Sequence, residues 1–555
     1  MVPINQKGWA MHDEKGYSPK NASKSSCCCL VLPPCRWRAP GVSCETDRPA
    51  KPASLGGAML LATIRGSGRG PGISPPLRCA GGCAAWDSHQ LGCTRAGAGG
   101  ALSGVLLPSP YALKTPLPPL NWALNRASGN SRHGNSLRLP PAPWQLPIIG
   151  SLHHLHGALP HRALRDLARR HGPVMLLKFG EVPVVVASSR EAAREVLKTH
   201  DAVFATRPQT LRKICNMELL SAKHVRSFRP IREDEAARLV QSIASASAPL
   251  VNLSMMLAGY VADAALREIM GGRLRDRDAF VQQLAEGVRL AAGFSLADLY
   301  PSSRLARLLS RRSDRDPQAA AEDMVDLLLR LQRDGGLQIP LTMDESVIVD
   351  LFAGSNDTSA TTLQWAMAEL MRNPAVMSKL QDVRGAFAAA TKVSEEGLQE
   401  LSYLHMVIKE TLRLHLPSPL LLPRESQEQC QILSYDVPKG AMVMVNAGAL
   451  SSDPEYWDEP ELFRPERFED SQKDFKGNEF EFIPFGAGRR MCPGMFFGLA
   501  NIQLALANLV FYFDWSLPEG VSCSELDMTE AAGVTVRKKS DLWVRATPSA
   551  IMLPR

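Results

Sequence analysis

Nowhere in the 555 residues do about 18 apolar residues run together, so the sequence offers no transmembrane helix. The nearest candidates, GGAMLLATIRG and GALSGVLLPSPYAL, are short and cut by glycine and proline. The opening MVPINQKGWAMHDEKGYSPK lacks the apolar stretch of a signal peptide. Paired C-x-x-C spacing is also missing. Eight of the 12 cysteines (Cys27, Cys28, Cys29, Cys35, Cys44, Cys79, Cys83 and Cys93) crowd the first hundred residues, and His89 is the only histidine among the later ones, which argues against zinc there. Only Cys215, Cys430, Cys492 and Cys523 follow, too few and too scattered for a disulfide framework, and suited to a reducing compartment. Beyond residue 135 there is little excess of either charge. Residues 1–135 carry a net +10, leaving −3 for the rest of a chain whose total is +7, so the basic balance gives nucleic-acid binding no support.

What is present divides the chain. Residues 1–135 are rich in Gly, Pro, Ser, Ala and Arg without sustained period, and are expected to be a disordered, atypical leader; a translated non-coding leader is an equally open reading. Residues 136–150, ending in LPPAPWQLPIIG, form a stiff proline-rich hinge. Regular patterning then begins. HRALRDLARRHG reads as a helix, PVMLLKFGEVPVVVASS as two strands around Gly180, REAAREVLKTH as a helix, and residues 230–415 as mainly helical. The fold class is therefore mainly α with a small β region.

The longest predicted helix runs from Thr342 to Asn373, with Thr342 and Glu345 as a capping box and Pro374 as its stop. At about 1.5 Å per residue it spans roughly 45 Å, enough to cross a domain. Its centre, AGSNDTS, is poor helix sequence and predicts a local distortion beside something. A second helix, LSYLHMVIKETLRLH, sets Glu410 and Arg413 on one face, and FRPERF offers Arg467 from a loop. Near the end comes Phe485-x-x-Gly488-x-Arg490-x-Cys492-x-Gly494: a lone thiol behind glycines and arginines, just ahead of an apolar run.

In this order the motifs resemble a cytochrome P450, a haem-thiolate monooxygenase, and specifically the plant microsomal type; the resemblance covers about residues 140–550, with the haem domain at 151–555. It implies the P450 fold, with the long helix over the haem and the cysteine loop beneath. It implies haem b with Cys492 as the axial thiolate, which pushes electron density that favours O–O cleavage. Phe485, Gly488 and Gly494 then belong to the haem loop, and Arg490 and Arg424 match propionate partners. Glu410, Arg413 and Arg467 match the family's buried ion network. Asp357 and Thr358 match the acid and alcohol that deliver protons during dioxygen reduction. The implied partners are an NADPH-cytochrome reductase, docking near Arg489 and Arg490, a small apolar substrate, and a membrane surface on the cytosolic face of the endoplasmic reticulum.

Three features depart from the pattern. Ser355 stands where a glycine is usual, two residues before the acid. The chain passes from FATRPQT directly to LRKICNMELLS, without the Trp-x-x-x-Arg segment, so the domain is shortened near 208–212 and again within 300–335. The usual N-terminal anchor is replaced by the leader. Two readings follow: a working monooxygenase that inserts one atom of O2 into a lipophilic, terpenoid-like molecule, or a non-catalytic remnant or mis-joined gene product that keeps the haem motif. The substrate pocket is expected between Val347–Ala353, PSPLLL at 417–422 and the turn at Gly533–Thr535, an apolar lining.

Overall fold

Apolar residues on both sides of Gly180 make the first ordered structure. The computed structural model describes residues 137–205, 220–273, 277–282, 295–313, 345–387, 392–533 and 535–550; the leader, Cys215 and Thr342 of the expected capping box lie outside them. The proline-rich segment runs extended past Pro141, whose carbonyl accepts from Leu176 N–H at 2.9 Å, and then closes a tight turn in which Leu146 and Gly150 exchange backbone hydrogen bonds. The hinge is thus extended only as far as Gln145.

Helix α1 (Pro160–His171) starts with proline at its first position, where the missing N–H costs nothing. Strands β1 (Val174–Phe179) and β2 (Val182–Ala187) pair antiparallel around Gly180, which has φ +59° and leaves no room for a Cβ against the Leu299 carbonyl. The predicted helix REAAREVLKTH forms as a helical turn, Arg190–Arg194, that widens into a π-turn at Glu195–Thr199.

Helix α2 (Arg229–Ala244) is followed by β3 (Val251–Asn252), α3 (Leu253–Met270) and α4 (Arg304–Ser313). Helix α5 (Glu345–Arg372) matches the long predicted helix. It ends before Asn373, and Pro374 opens the next short helix as its first residue, so the proline ends one helix and starts another. Helix α6 (Ser402–Leu414) carries the Glu-x-x-Arg pair, and β4 (Arg424–Glu425) and β5 (Met442–Val445) complete a four-stranded sheet in the order β1-β2-β5-β4. Strand β2 pairs parallel with β5 and is buried at every residue, which is why VPVVVA shows no polar alternation.

Helix α7 (Met495–Tyr512), then β6 (Phe513–Ser516), β7 (Glu530–Ala531), β8 (Arg537–Lys538) and β9 (Trp543–Pro548) finish the chain. Among the described residues α7 is the one helix long and apolar enough to cross a membrane, yet 72% of its span is buried inside the protein. Apolar on every face, it is a core helix. Leu504, Leu506 and Leu509 of α7, with Leu363, Trp365 and Leu370 of α5, centre the main core, each fully buried side chain contributing about 1.5–3 kcal/mol. Mainly helical layers with small sheets at the edge are the architecture expected from the sequence.

Candidate active site around Cys492

The loop that carries the thiol is folded by its own backbone. Cys492 N–H donates to the Phe485 carbonyl at 2.9 Å, Met491 N–H to the Gly488 carbonyl at 3.0 Å, and Gly486 N–H to the Ile483 carbonyl at 2.9 Å. At Gly488, φ is +68° and a Cβ would collide with the Leu197 carbonyl, so only glycine lets this turn close on the strand-helix layer behind it. The loop ends at Gly494, the N-cap of α7. Cys492 is exposed, two residues ahead of that cap, where the positive end of a long helix favours negative charge on sulfur.

The middle of α5 crosses the start of α7. A Cβ on Gly498 of α7 would stand 3.4 Å from Ser359 Oγ of α5. Beside that crossing Gly354 is exposed, and beyond its own helix and chain neighbours no atom of the described residues comes within 4 Å of where its Cβ would be. Thr358 Oγ1 donates to the Gly354 carbonyl at 2.7 Å, and Ser355 Oγ to the Phe352 carbonyl at 3.2 Å. The Asp357 carboxylate accepts from the Thr535 hydroxyl. Contrary to the distortion predicted for AGSNDTS, α5 runs through it unbroken: the Ser355 and Thr358 hydroxyls bond back to carbonyls three and four residues earlier, and Asp357 turns outward to Thr535. The Ser355 hydroxyl is likewise turned onto its own helix.

Arg424 sits in β4, 5% exposed, and Arg490 Nη1 donates to the carbonyl of the preceding residue, Pro423, at 2.9 Å. The Arg490 guanidinium is thereby brought to the backbone beside Arg424. Arg489 does not extend this charge outward: its Nε meets Asp201 Oδ1 at 3.2 Å and its N–H meets Oδ2 at 3.3 Å. The expected docking face around Arg489 and Arg490 is thus partly neutralised.

Glu410, Arg413 and Arg467 meet. Glu410 accepts from Arg413 Nε at 2.8 Å and Nη2 at 2.9 Å, and from Arg467 Nε at 2.9 Å, all three carried on side chains at most 5% exposed. Arg413 lies 5.3 Å from the Trp457 ring, and from Trp457 ring contacts run through Phe468, Phe482 and Phe475 to Phe485, the first residue of the cysteine loop. A packed row of aromatics therefore joins the ion network to the thiol loop.

Two buried polar groups were not anticipated from sequence. Arg232 of α2 bonds Glu268 of α3 at 3.1 Å and Glu395 at 2.7 Å, with burial pushing the Glu268 carboxyl up to about 7 against the pull of Arg232 and Asn501. His415 stacks on Trp365 at 4.1 Å and meets Glu369 at 2.7 Å. A cavity of about 530 Å³ lined by Glu369, Arg372, Glu461 and Cys523 lies near the second group; neither Cys492 nor Thr358 lines it.

Of the expected pocket lining, the side chains of Val347–Asp350 lie outside the description. Phe352 and Ala353 are buried, and Val536 N–H donates to the Pro417 carbonyl at 2.8 Å, which joins the Gly533–Thr535 turn to the PSPLLL segment. Among the described residues no group of three His, Cys, Asp or Glu could hold a metal ion. An exposed thiol in a glycine-turned loop, with the Arg490 guanidinium reaching the backbone beside Arg424, instead suits a metal whose other donors come from a flat, dianionic macrocycle. The residues present fit haem in this respect.

Comparison with known proteins agrees. The family model described as Cytochrome P450 matches residues 140–211 and 304–544. The chain is 44% identical over 473 residues to 5-epiaristolochene 1,3-dihydroxylase of Nicotiana tabacum, and 43% identical over 471 residues to premnaspirodiene oxygenase of Hyoscyamus muticus; each match covers 75% of this chain and 94% of the relative. It is 44% identical over 463 residues to zealexin A1 synthase of Zea mays, covering 73% of this chain and 92% of the relative.

Proposed function

The chain belongs to the cytochrome P450 family, and from this we propose that it inserts one atom of O2 into a small, lipophilic, terpenoid-like molecule. It is a haem-thiolate monooxygenase that takes NADPH-derived electrons from a partner reductase. The observation that carries the reading is the exposed Cys492 at the head of α7, in a loop turned by Gly486 and Gly488, on the helix that crosses the middle of α5 at Gly498. Two relatives named for oxidising 5-epiaristolochene and premnaspirodiene support the substrate class.

Bound haem, ligated by Cys492, supplies the chemistry that activates O2. The chain's own residues do the rest. Arg424 and Arg490 are proposed to hold the propionates through charge-assisted bonds, and Phe485 and the glycines to bring the backbone against the ring. Thr358 is proposed to hand protons inward from a hydroxyl now donating to the Gly354 carbonyl, with Asp357 as the acid outside it. The PSPLLL segment and the Thr535 turn wall the substrate side, where apolar contact sets orientation.

The test is turnover under ¹⁸O2 with a flavin reductase, NADPH and a panel of terpenoid hydrocarbons. A product heavier by one ¹⁸O is expected. Haem-loaded protein that gives no oxygenated product with any of them would point to the non-catalytic reading. With a turned-over substrate, Thr358→Ala is expected to send most electrons to peroxide while leaving substrate binding in place; unchanged coupling would remove Thr358 from the proton path.

A membrane-facing surface is proposed at the turn of the first hairpin. Ile149 and Leu299 flank Gly180–Glu181 through backbone hydrogen bonds, which places the hinge beside the chain leading into α4. There Ile148 is 79% exposed, Trp144 64%, Leu305 63% and Leu308 55%, with Arg304 and Arg307 also exposed. Apolar side chains ringed by arginine suit the headgroup boundary of a bilayer, and the cytosolic face of the endoplasmic reticulum is the proposed location. Ile148→Asp with Leu305→Asp should release the protein from anionic lipid vesicles in sedimentation, because apolar contact is lost and like charge is added; undiminished binding would move the contact elsewhere.

A further inference from the structure

The acid of the proposed proton path does not stand alone. Asp357, Thr361 and Trp365 are spaced four residues apart on α5 and so share one helix face. The segment that links β7 to β8 lies against that face. Trp365, fully buried, donates from Nε1 to the Val536 carbonyl at 3.1 Å, and the hydroxyl of Thr535, 4% exposed, donates to Asp357 Oδ2. The same segment is fastened on its other side, where Val536 N–H donates to the Pro417 carbonyl at 2.8 Å, and at its base by the pairing of Arg537 with Ala531 and Lys538 with Glu530. Thr358, one residue and about 100° further round the helix, bonds its own Gly354 carbonyl instead. The carboxylate is therefore held toward the β7–β8 loop while its neighbour's hydroxyl is held on its own helix at the Gly354 carbonyl.

We propose that Thr535 is a positioning residue for proton delivery: its hydroxyl fixes the Asp357 carboxylate on the loop side of α5, as the outer station that collects a proton before it passes inward. The proposal rests on the reading of Asp357 as the acid of the path. An ionised carboxylate only accepts hydrogen bonds, so Thr535 donates to Oδ2 and leaves Oδ1 to take the proton from water. Asp357 then releases that proton toward Thr358 and regains its charge, again compensated by the Thr535 donor. One proton enters and one leaves; no electrons move in this step. Because the same loop contacts Pro417 of the substrate-side segment, a substrate that shifts the loop also shifts the carboxylate.

Three variants separate the possibilities. In Thr535→Val, nearly the same shape without the donor, product formed per NADPH consumed is expected to fall about tenfold, with the difference appearing as peroxide and the pH profile of coupling displaced. In Thr535→Ser, coupling and its pH profile return toward those of the wild type. Crystal structures of the haem-loaded proteins should show the Asp357 side chain turned away from the loop in Thr535→Val and back on it in Thr535→Ser. Asp357→Asn provides the reference. If it uncouples while Thr535→Val keeps wild-type coupling, pH profile and side-chain position, the positioning role is wrong and the acid's role stands. If Asp357→Asn itself remains coupled, the reading of the acid fails and this inference with it. Should Thr535→Val not load haem, Thr535→Ala is held to the same criteria.

Discussion

Cys492→Ser removes the strongly red-shifted Soret band that the reduced, carbon monoxide-treated protein shows, and with it all monooxygenase turnover. Only the thiolate gives iron the electron density that moves this band and favours O–O cleavage, and a serine hydroxyl is not ionised at neutral pH. The fold around the position should survive, because the loop is closed by backbone bonds that a serine keeps: its N–H still donates to Phe485, and Gly488 still turns against Leu197. Residue 492 is exposed rather than packed into the core, so the smaller oxygen leaves no cavity to destabilise the chain. The variant should therefore unfold at nearly the wild-type temperature without haem, bind haem weakly or not at all, and show any remaining band at the position of a neutral ligand. A wild-type spectrum in the variant would assign the iron to another residue. A wild-type chain with no such band would mean that the site fails despite its geometry.

Much of this was legible in the sequence, and the reason differs from element to element. The long helix at 345–372 was readable from its punctuation, with Pro374 as its stop, whereas 495–512 showed only as an apolar run, because a helix buried on every face carries no period. The β1–β2 turn was readable from Gly180 because its left-handed φ excludes other residues. Charged partnerships were not, since period tells which face a residue takes and not what meets it. Arg232 finds Glu395 across 163 positions of sequence and Arg489, expected on the docking face, finds Asp201 across 288, so nothing in the local pattern pointed to either partner. The Asp357–Thr535 contact spans 178 positions and was hidden for the same reason. AGSNDTS failed in a different way. Propensity prices each residue separately, whereas Thr358 and Ser355 are satisfied by their own helix's carbonyls, and neighbouring helices hold the backbone in place.

Glu410→Ala is expected to cost folded, haem-loaded protein rather than merely slow it. Glu410 is fully buried and is the single carboxylate between two guanidiniums: Arg413, also fully buried, and Arg467. It also accepts from the Arg464 backbone N–H at 2.9 Å. The guanidiniums have further acceptors in the carbonyls of Ser451, Pro460, Leu462, Asp458 and Glu459, but these are dipoles and supply no net charge. Burial already pulls the Arg467 guanidinium below its usual range, with Glu410 opposing and Arg413 adding to the fall. Deleting the carboxylate strands two cations in a low-dielectric site at a cost of about 3–5 kcal/mol, against a total stability of about 5–15 kcal/mol for a folded domain. The damage should reach the thiol loop because Arg413 packs on Trp457, and Trp457 heads the row of aromatics ending at Phe485. Glu410→Gln keeps an acceptor without the charge and should fall between wild type and alanine, whereas Lys409→Ala, next to it but only half-buried, should retain haem. The ratio of haem absorbance to protein, measured with the unfolding temperature across this series, decides the matter: normal haem content in Glu410→Ala would show that the network is not what holds the cysteine loop in shape.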